Sequence, residues 1–335
     1  MKKILVTGGF GFIGSTLVDL LTQIPENHVH VIDDMSTSPI NINDYLAELG
    51  NRSNISYDII TVASFFTRAE GPGKWDQIYH LASPVGPAGV LKHAGNMVRD
   101  VVRDAYLIMD YCLENKIKFL DVSTSEIYGG GQSGYCPEST PKIVPPVTTI
   151  RLEYAIAKLA AETAIINTCR EKGLLCTIIR PFNVSGPRQS PKGGFVVPRF
   201  IQQAYNNKPI TVFNDGSALR AFTHVKDMAR GIILGMEKGL NGEAYNIGNP
   251  ANKTTILDLA KRVKTVLGSN SEILFIDPKT IYGNTYEEAN DKFPDAEKAK
   301  LELGWIPEFD IDATLLHAKN EYVRQLESKV LLDSI

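Results

Sequence analysis

The chain is poor in cysteine: four in 335 residues, with no CxxC pair and no histidine cluster beside any of them. Cys112, Cys136, Cys169 and Cys176 therefore read as free thiols in a reducing, cytoplasmic setting, not as a disulfide framework or a zinc site, and no metal is expected. Long apolar runs are also lacking; none approaches the roughly 20 residues that cross a bilayer. Nor is there an excess of positive charge. Lys plus Arg number 35 against 38 Asp plus Glu, a net charge of −3, so neither nucleic acid nor an anionic membrane is expected as a partner. An anionic ligand must be met by local arginines and backbone amides. The opening MKKILVTGGFGFIG has a signal-like charged start, but Gly8 and Gly9 cut its apolar stretch and no small-residue cleavage site follows. It reads as the first strand of the fold.

What is present is an ordinary globular composition, 43% apolar and 22% charged, on a length that suits one large or two modest domains. Short apolar runs alternate with helical periodicity. KKILVTGG, HVHVIDD, ISYDIITV, DQIYHLAS, KIKFLDVSTSE and LLCTIIRPFNV read as strands. FIGSTLVDLLTQ, a long segment from about Val90 to Lys116, and LEYAIAKLAAETAIINTCREKG read as helices, the last with Gly173 as its C-cap. Such alternation predicts an α/β fold of the Rossmann type, a doubly wound parallel sheet with helices on both faces. Past about Asn183, Pro and Gly become frequent and the alternation loosens. We expect residues 1–183 to form the dinucleotide domain and 184–335 mainly a smaller substrate region, with some segments returning to the first core. Ligands bind at the C-terminal sheet edge in such folds.

Gly8-Gly9-Phe10-Gly11-Phe12-Ile13-Gly14 contains a GxGxxG between a strand and a helix. Glycines there permit a tight turn and let a pyrophosphate sit against helix N-terminal amides. Asp33 ends the next strand, placed to accept hydrogen bonds from ribose hydroxyls and to repel a 2′-phosphate, which favours NAD over NADP. Asp58, after the third strand, is a candidate for the adenine amino group. Phe10 and Phe12 read as packing residues whose backbone contacts the cofactor.

Tyr154-Ala-Ile-Ala-Lys158 sets a phenol and an ammonium four apart on one helix face. A neighbouring Lys⁺ favours the phenolate, making Tyr154 a candidate general base. Thr124, Ser125 and Glu126 emerge at a strand end, where hydroxyls commonly cap a turn. His80 and His224 lack a metal-ligand constellation and read as structural.

TGGFGFIG, HLAS, STSEIYG, YAIAK and RPFNVSGPR, in this order, resemble the extended short-chain dehydrogenase/reductase family of nucleotide-sugar enzymes, over nearly the whole chain. The resemblance implies the following roles. Tyr154 takes the proton of the sugar 4-hydroxyl while C4 gives hydride to NAD. Lys158 binds the nicotinamide ribose and lowers the Tyr154 pKa, and Thr124 hydrogen-bonds the reacting oxygen. Leu81, Ala82 and Ser83 lie on the cofactor side. Pro84, Ser125, Arg151, Asn183, Arg199, Arg220 and Tyr286 lie on the substrate side, Arg199 and Arg220 suiting a pyrophosphate.

A 4-keto sugar can be re-reduced from the other face, can lose water across C5–C6, or can lose CO₂ if C6 is a carboxylate. Glu126 beside C5 and C6 points beyond simple epimerisation. STSE, Pro84, Arg151 and the segment with Tyr282, Gly283 and Tyr286 resemble UDP-glucuronate decarboxylases forming UDP-xylose or UDP-4-keto-pentose. One position departs: Lys292 stands where those enzymes carry a proton-donating arginine, and lysine lacks the bidentate fork. Decarboxylation of UDP-glucuronate leads; a 4,6-dehydratase and a uronate 4-epimerase are the alternatives, with a non-catalytic NAD-binding regulator more remote. The resemblance also implies a homodimer formed by the helix after Val90 and the helix carrying Tyr154.

Overall fold

A computed structural model describes residues 1–50, 52–129, 134–144, 150–283 and 291–333. Five strands open the chain: β1 (Lys2–Thr7), β2 (Asn27–Asp33), β3 (Ile55–Ile59), β4 (Gln77–His80) and β5 (Lys118–Val122). There follow β6 (Gly134–Cys136), β7 (Cys176–Pro181), β8 (Val184–Ser185), β9 (Ile210–Phe213), β10 (Leu219–Ala221), β11 (Thr223–His224), β12 (Ala244–Ile247), β13 (Lys253–Thr255), β14 (Ile273–Ile276) and β15 (Lys292–Pro294). One sheet dominates, a seven-stranded parallel array in the order β12-β7-β5-β4-β1-β2-β3. Its inner strands are covered on both faces, which is why ILVT, QIYH and CTIIRP read as continuous apolar runs with no alternation. The strand order reverses between β1 and β4, and that switch point opens a crevice at the strands' C-terminal ends.

Helices α1 (Phe12–Thr22), α2 (Ile42–Glu48), α3 (Val62–Phe66), α4 (Gly86–Lys92), α5 (Met97–Asn115), α6 (Ile150–Lys172), α7 (Val196–Tyr205), α8 (Val225–Lys238) and α9 (Ile256–Leu267) follow in chain order. Leu17, Val18 and Leu21 of α1 and Met228, Ile232 and Met236 of α8 form one apolar layer with Val6, Leu120, Val122 and Ile179 of the sheet. On the other face, Phe65, Ile108, Met109 and Ile165 from α3, α5 and α6 cover Leu5, Ile78, Phe119 and Ile178. A third core joins α7, β9, α9 and the final helix Ile311–Asp333 through Phe200, Val212, Leu259 and Leu315.

The helix expected from about Val90 to Lys116 is two helices. α4 ends at Lys92, and Gly95 turns with φ +82° before α5 starts at Met97. The break is fixed from elsewhere: the Glu153 carboxylate on α6 accepts the Gly95 and Met97 N–H groups at 2.7 and 2.9 Å. α6 closes where expected, with Gly173 at φ +72° and its N–H on Cys169 O. All four cysteines are free. No helix among the described residues is long and apolar enough to cross a membrane.

Candidate active site

The glycine loop joins β1 to α1 at the switch point. Gly8 has φ +69°, and a Cβ there would lie 2.8 Å from Ala82 N, so only glycine lets this loop meet the HLAS segment. A Cβ on Gly14 would lie 2.1 Å from Gly8 O, so the first turn of α1 must be bare to fold over the loop. The N-cap of α1 is Gly11, which gives no side-chain hydrogen bond, and the first turn, including Phe12 and Ile13, carries no acid. The positive end of the helix therefore meets the crevice with no acid in its own first turn, as suits an anionic pyrophosphate.

Asp33 ends β2 beside this loop. Its carboxylate accepts the Phe10 N–H at 3.0 Å and the Met35 N–H at 2.9 Å. Burial raises its pKa, and these backbone donors oppose the rise. Phe10 O accepts the Ser38 hydroxyl, and its buried ring packs edge-on against Tyr45 and Tyr57. Phe10 thus shapes the loop through groups already committed within the protein. Asp58, on β3, sits between Arg68 at 3.2 Å and His30 at 3.4 Å. Leu81 and Ala82 both donate backbone N–H groups to Thr7 Oγ1, and the Ser83 hydroxyl reaches Pro84 O at 3.5 Å. Loop, acid and HLAS segment together fit a dinucleotide lying across the strand ends.

The polar cluster lies one strand further along. β5 ends at Val122, and Ser125–Tyr128 forms a single 3-10 turn capped by the Thr124 hydroxyl, which accepts the Glu126 N–H at 3.2 Å. The capping role of this stretch and its site role coincide. Arg151, near the start of α6, donates Nε to Glu126 Oε2 at 2.5 Å. Lys292 donates Nζ to Glu126 Oε1 at 3.1 Å and to Ser125 O at 3.0 Å. Parallel pairing of β15 with β6 carries Lys292 to this point from far along the chain. Burial alone would raise the Glu126 carboxyl, but Lys292 and then Arg151 outweigh it and hold it well below the usual carboxylate range. Burial lowers the Lys292 ammonium, against the pull of Glu126.

Tyr154 and Lys158 are both buried, one turn apart on α6. Lys158 Nζ donates to Val122 O at 2.9 Å, which fixes it at the end of β5. Burial pushes the Tyr154 phenol above its ordinary value; hydrogen bonding with Thr124 opposes this, while Glu126 and Asp121 add to it. So Thr124, Ser125, Glu126, Arg151, Tyr154, Lys158 and Lys292 are brought together.

The other substrate-side candidates sit on the smaller region. Asn183 lies between β7 and β8 with φ +35°, its C=O accepting the Thr223 N–H at 3.1 Å. Arg199 on α7 stacks over Phe213, 4.1 Å from the ring centroid, and donates to Thr211 O. Arg220 on β10 reaches Asp291, the neighbour of Lys292, at 3.3 Å. Tyr286 lies outside the described residues. His224 caps α8 through Nδ1 and stacks on Phe309. Three buried charged residues are not among the candidates drawn from the sequence. Arg180 and Glu162 form a two-pronged pair behind the 3-10 turn. Asp121 lies within KFLDV, and a charge inside an otherwise apolar run was the available signal.

Residues 4–248 match the Epimerase family, described as the NAD dependent epimerase/dehydratase family. Among curated relatives, a UDP-glucuronic acid decarboxylase 6 of Arabidopsis thaliana is 34% identical over 91% of this chain and 84% of its own. A UDP-N-acetyl-alpha-D-glucosaminuronate decarboxylase of Bacillus cytotoxicus is 30% identical over 89% and 91%. Among solved structures, UDP-glucuronic acid 4-epimerase from Bacillus cereus, in complex with UDP-glucuronic acid and NAD, superposes with a TM-score of 0.81. It is 27% identical, covering 97% of this chain and 99% of that one.

Proposed function

The chain belongs to the NAD dependent epimerase/dehydratase family, and from that premise we propose that it decarboxylates a UDP-linked uronic acid, UDP-glucuronate first, through a 4-keto intermediate. It is an NAD-dependent enzyme acting on nucleotide sugars. When bound, NAD supplies the two-electron acceptor for the hydrogen on sugar C4. The amides of Phe12 and Ile13 would hold its pyrophosphate, Asp33 its adenosine ribose, and Lys158 its nicotinamide ribose.

The protein's own part is proton chemistry. Tyr154 receives the 4-hydroxyl proton, with Thr124 holding the same oxygen. The resulting ketone makes a C6 carboxylate a β-keto acid. The C5–C6 bond breaks, CO₂ leaves, the electron pair moves onto the C4 oxygen as an enolate, and C5 then takes a proton. Lys292, held by Ser125 O and Glu126, is the candidate donor of that proton. Arg199 and Arg220 would meet the UDP pyrophosphate.

One observation carries this reading over a neutral-sugar reaction: Arg151 and Lys292 converge on the single carboxylate Glu126 beside Thr124. Two cations there suit a substrate that brings a carboxylate of its own. A second reading, 4-epimerisation of the same uronate, is supported by likeness to the Bacillus cereus enzyme. Incubation with UDP-glucuronate, and separately with its 2-acetamido analogue, followed by mass spectrometry, distinguishes them. The expected product has lost one CO₂ if the hydride is returned to C4 to give the pentose, or one CO₂ and two hydrogens if it leaves as the 4-ketone with the hydride still on NAD. An isomer of unchanged mass would replace decarboxylation with epimerisation.

We also infer a homodimer through α5 and α6, where Val98, Tyr106 and Ile156 are exposed. Sedimentation should give a dimer at micromolar concentration, and a monomer would remove the inference.

A further inference from the structure

The Tyr154–Lys158 pair lies over a buried acid that the proposed reaction does not use. Asp121 is the fourth residue of β5 and only 1% exposed. Side chains alternate along a strand, so Asp121 shares the face of Phe119, inside the layer beneath α5 and α6. One oxygen, Oδ2, has no hydrogen-bond partner among the described residues. The other lies 4.0 Å from His80 Nε2.

Hydrogen-bond accounting favours one tautomer of His80. Thr7 Oγ1 already accepts the Leu81 and Ala82 N–H groups at 3.2 and 3.1 Å. A hydroxyl has two acceptor sites and one proton. The Leu81 N–H is shared with Thr7 O at 3.1 Å, and His80 Nδ1 at 2.7 Å is the acceptor available to the Thr7 proton. His80 then carries its own proton on Nε2, the nitrogen facing Asp121. A line of groups thus runs from the HLAS segment through Thr7 and His80 to Asp121.

The groups facing Asp121 come from three elements. β4 presents His80, β7 presents the Cys176 thiol, and α6 presents Tyr154, Lys158 and Glu162. Glu162 is neutralised by Arg180 at 2.7 Å. From α5, Asp104 acts on Lys158 and is itself paired with Arg103. Lys158 is the cation that acts on Asp121, and its ammonium is anchored to the very next residue of β5, through Val122 O. A buried carboxylate with an unsatisfied oxygen is retained at such a place only against a compensating charge.

We propose that Asp121 is the buried counter-charge of Lys158 and thereby a positioning residue for the Tyr154 phenol. Its carboxylate, 4.0 Å from His80 Nε2, offsets the ammonium from below and holds the proton on the Tyr154 phenol more firmly. The proposal rests on Tyr154 being the base of the reaction above.

Direct titration separates the two claims. The whole NAD-loaded chain is labelled with tyrosine carrying ¹³C at the phenol carbon, and the Tyr154 signal is assigned by its loss in Tyr154→Phe. Asp121→Asn should lower the Tyr154 midpoint by about one pH unit, and the acid limb of turnover on UDP-glucuronate should move down with it. An unmoved midpoint in folded Asp121→Asn overturns the proposal. Should that variant not fold, the ¹⁵N signal of Lys158 Nζ in the unaltered protein must show an inflection at the titration of the Asp121 carboxyl carbon. Its absence also overturns the proposal. Full turnover in Tyr154→Phe would instead remove Tyr154 as base, an outcome the midpoint measurement does not depend on.

Discussion

Arg180→Met tests whether the 3-10 turn bearing Thr124 and Glu126 is held from behind by a charge pair. Arg180 on β7 and Glu162 on α6 are almost wholly inaccessible, with side chains 4% and 1% exposed. Nε and Nη2 donate to the two carboxylate oxygens at 3.1 and 2.7 Å, and Nη1 donates to Tyr128 Oη at 2.9 Å. Tyr128 closes the turn and passes its own proton to Asn246 Oδ1 on β12 at 2.7 Å. Methionine fills similar volume but leaves Glu162 buried and unpaired, a loss of about 3–5 kcal/mol. An unfolding entropy of about 2.1 cal/mol/K per residue gives roughly 0.7 kcal/mol/K over 335 residues. The melting temperature should therefore fall by about 4–7 °C, read by calorimetry on the NAD-loaded protein. Arg180→Met with Glu162→Leu should recover most of that loss, because an apolar pair of similar size can replace a buried ion pair. Turnover should stay low in both, since Tyr128 loses its donor. A drop under 1 °C in the single variant, or a double variant worse than the single, would refute the reasoning.

Gly14→Ala should abolish NAD retention, because its Cβ would strike Gly8 O; the ratio of absorbance at 260 to 280 nm of purified protein reads this directly. Glu126→Gln should cut turnover by roughly 10²–10⁴ while leaving NAD content unchanged, since it keeps the shape but not the charge between Arg151 and Lys292. Stability should fall with acid. Burial pushes His80 and His224 down to about 3. Their contribution is complete above the free histidine value near 6.5 and is lost as pH falls toward 3. Asp121, pushed up to about 6 by burial, works in the opposite sense, its contribution present below the free carboxylate value and lost as pH rises through 6. Urea midpoints between pH 7 and 4 should decline, and His224→Asn should flatten the decline.

The elements legible in the sequence are those whose signal is local. The glycine loop, Asp33 at the end of a strand and the Tyr154–Lys158 spacing follow from turn and helix geometry, and the structure puts them in the expected elements. The break between α4 and α5 was not legible, because the acid that fixes it, Glu153, is more than fifty residues away. Lys292 was named by resemblance alone; its approach to Glu126 depends on two three-residue strands, β6 and β15, too short to show a period. Asp121 belongs to no motif; its only local signal is an acid inside the strand segment KFLDV.

The seventh strand of the large sheet, β12, is drawn from residues 244–247, after the first part of the smaller region has been made. On a ribosome, β7 must therefore wait with an open edge while some sixty further residues emerge, and Tyr128 waits with it for Asn246. A nascent chain halted before that strand holds the glycine loop and the Tyr154–Lys158 pair but not the turn's last support. Competence for redox chemistry thus waits on a strand made well after the catalytic pair itself.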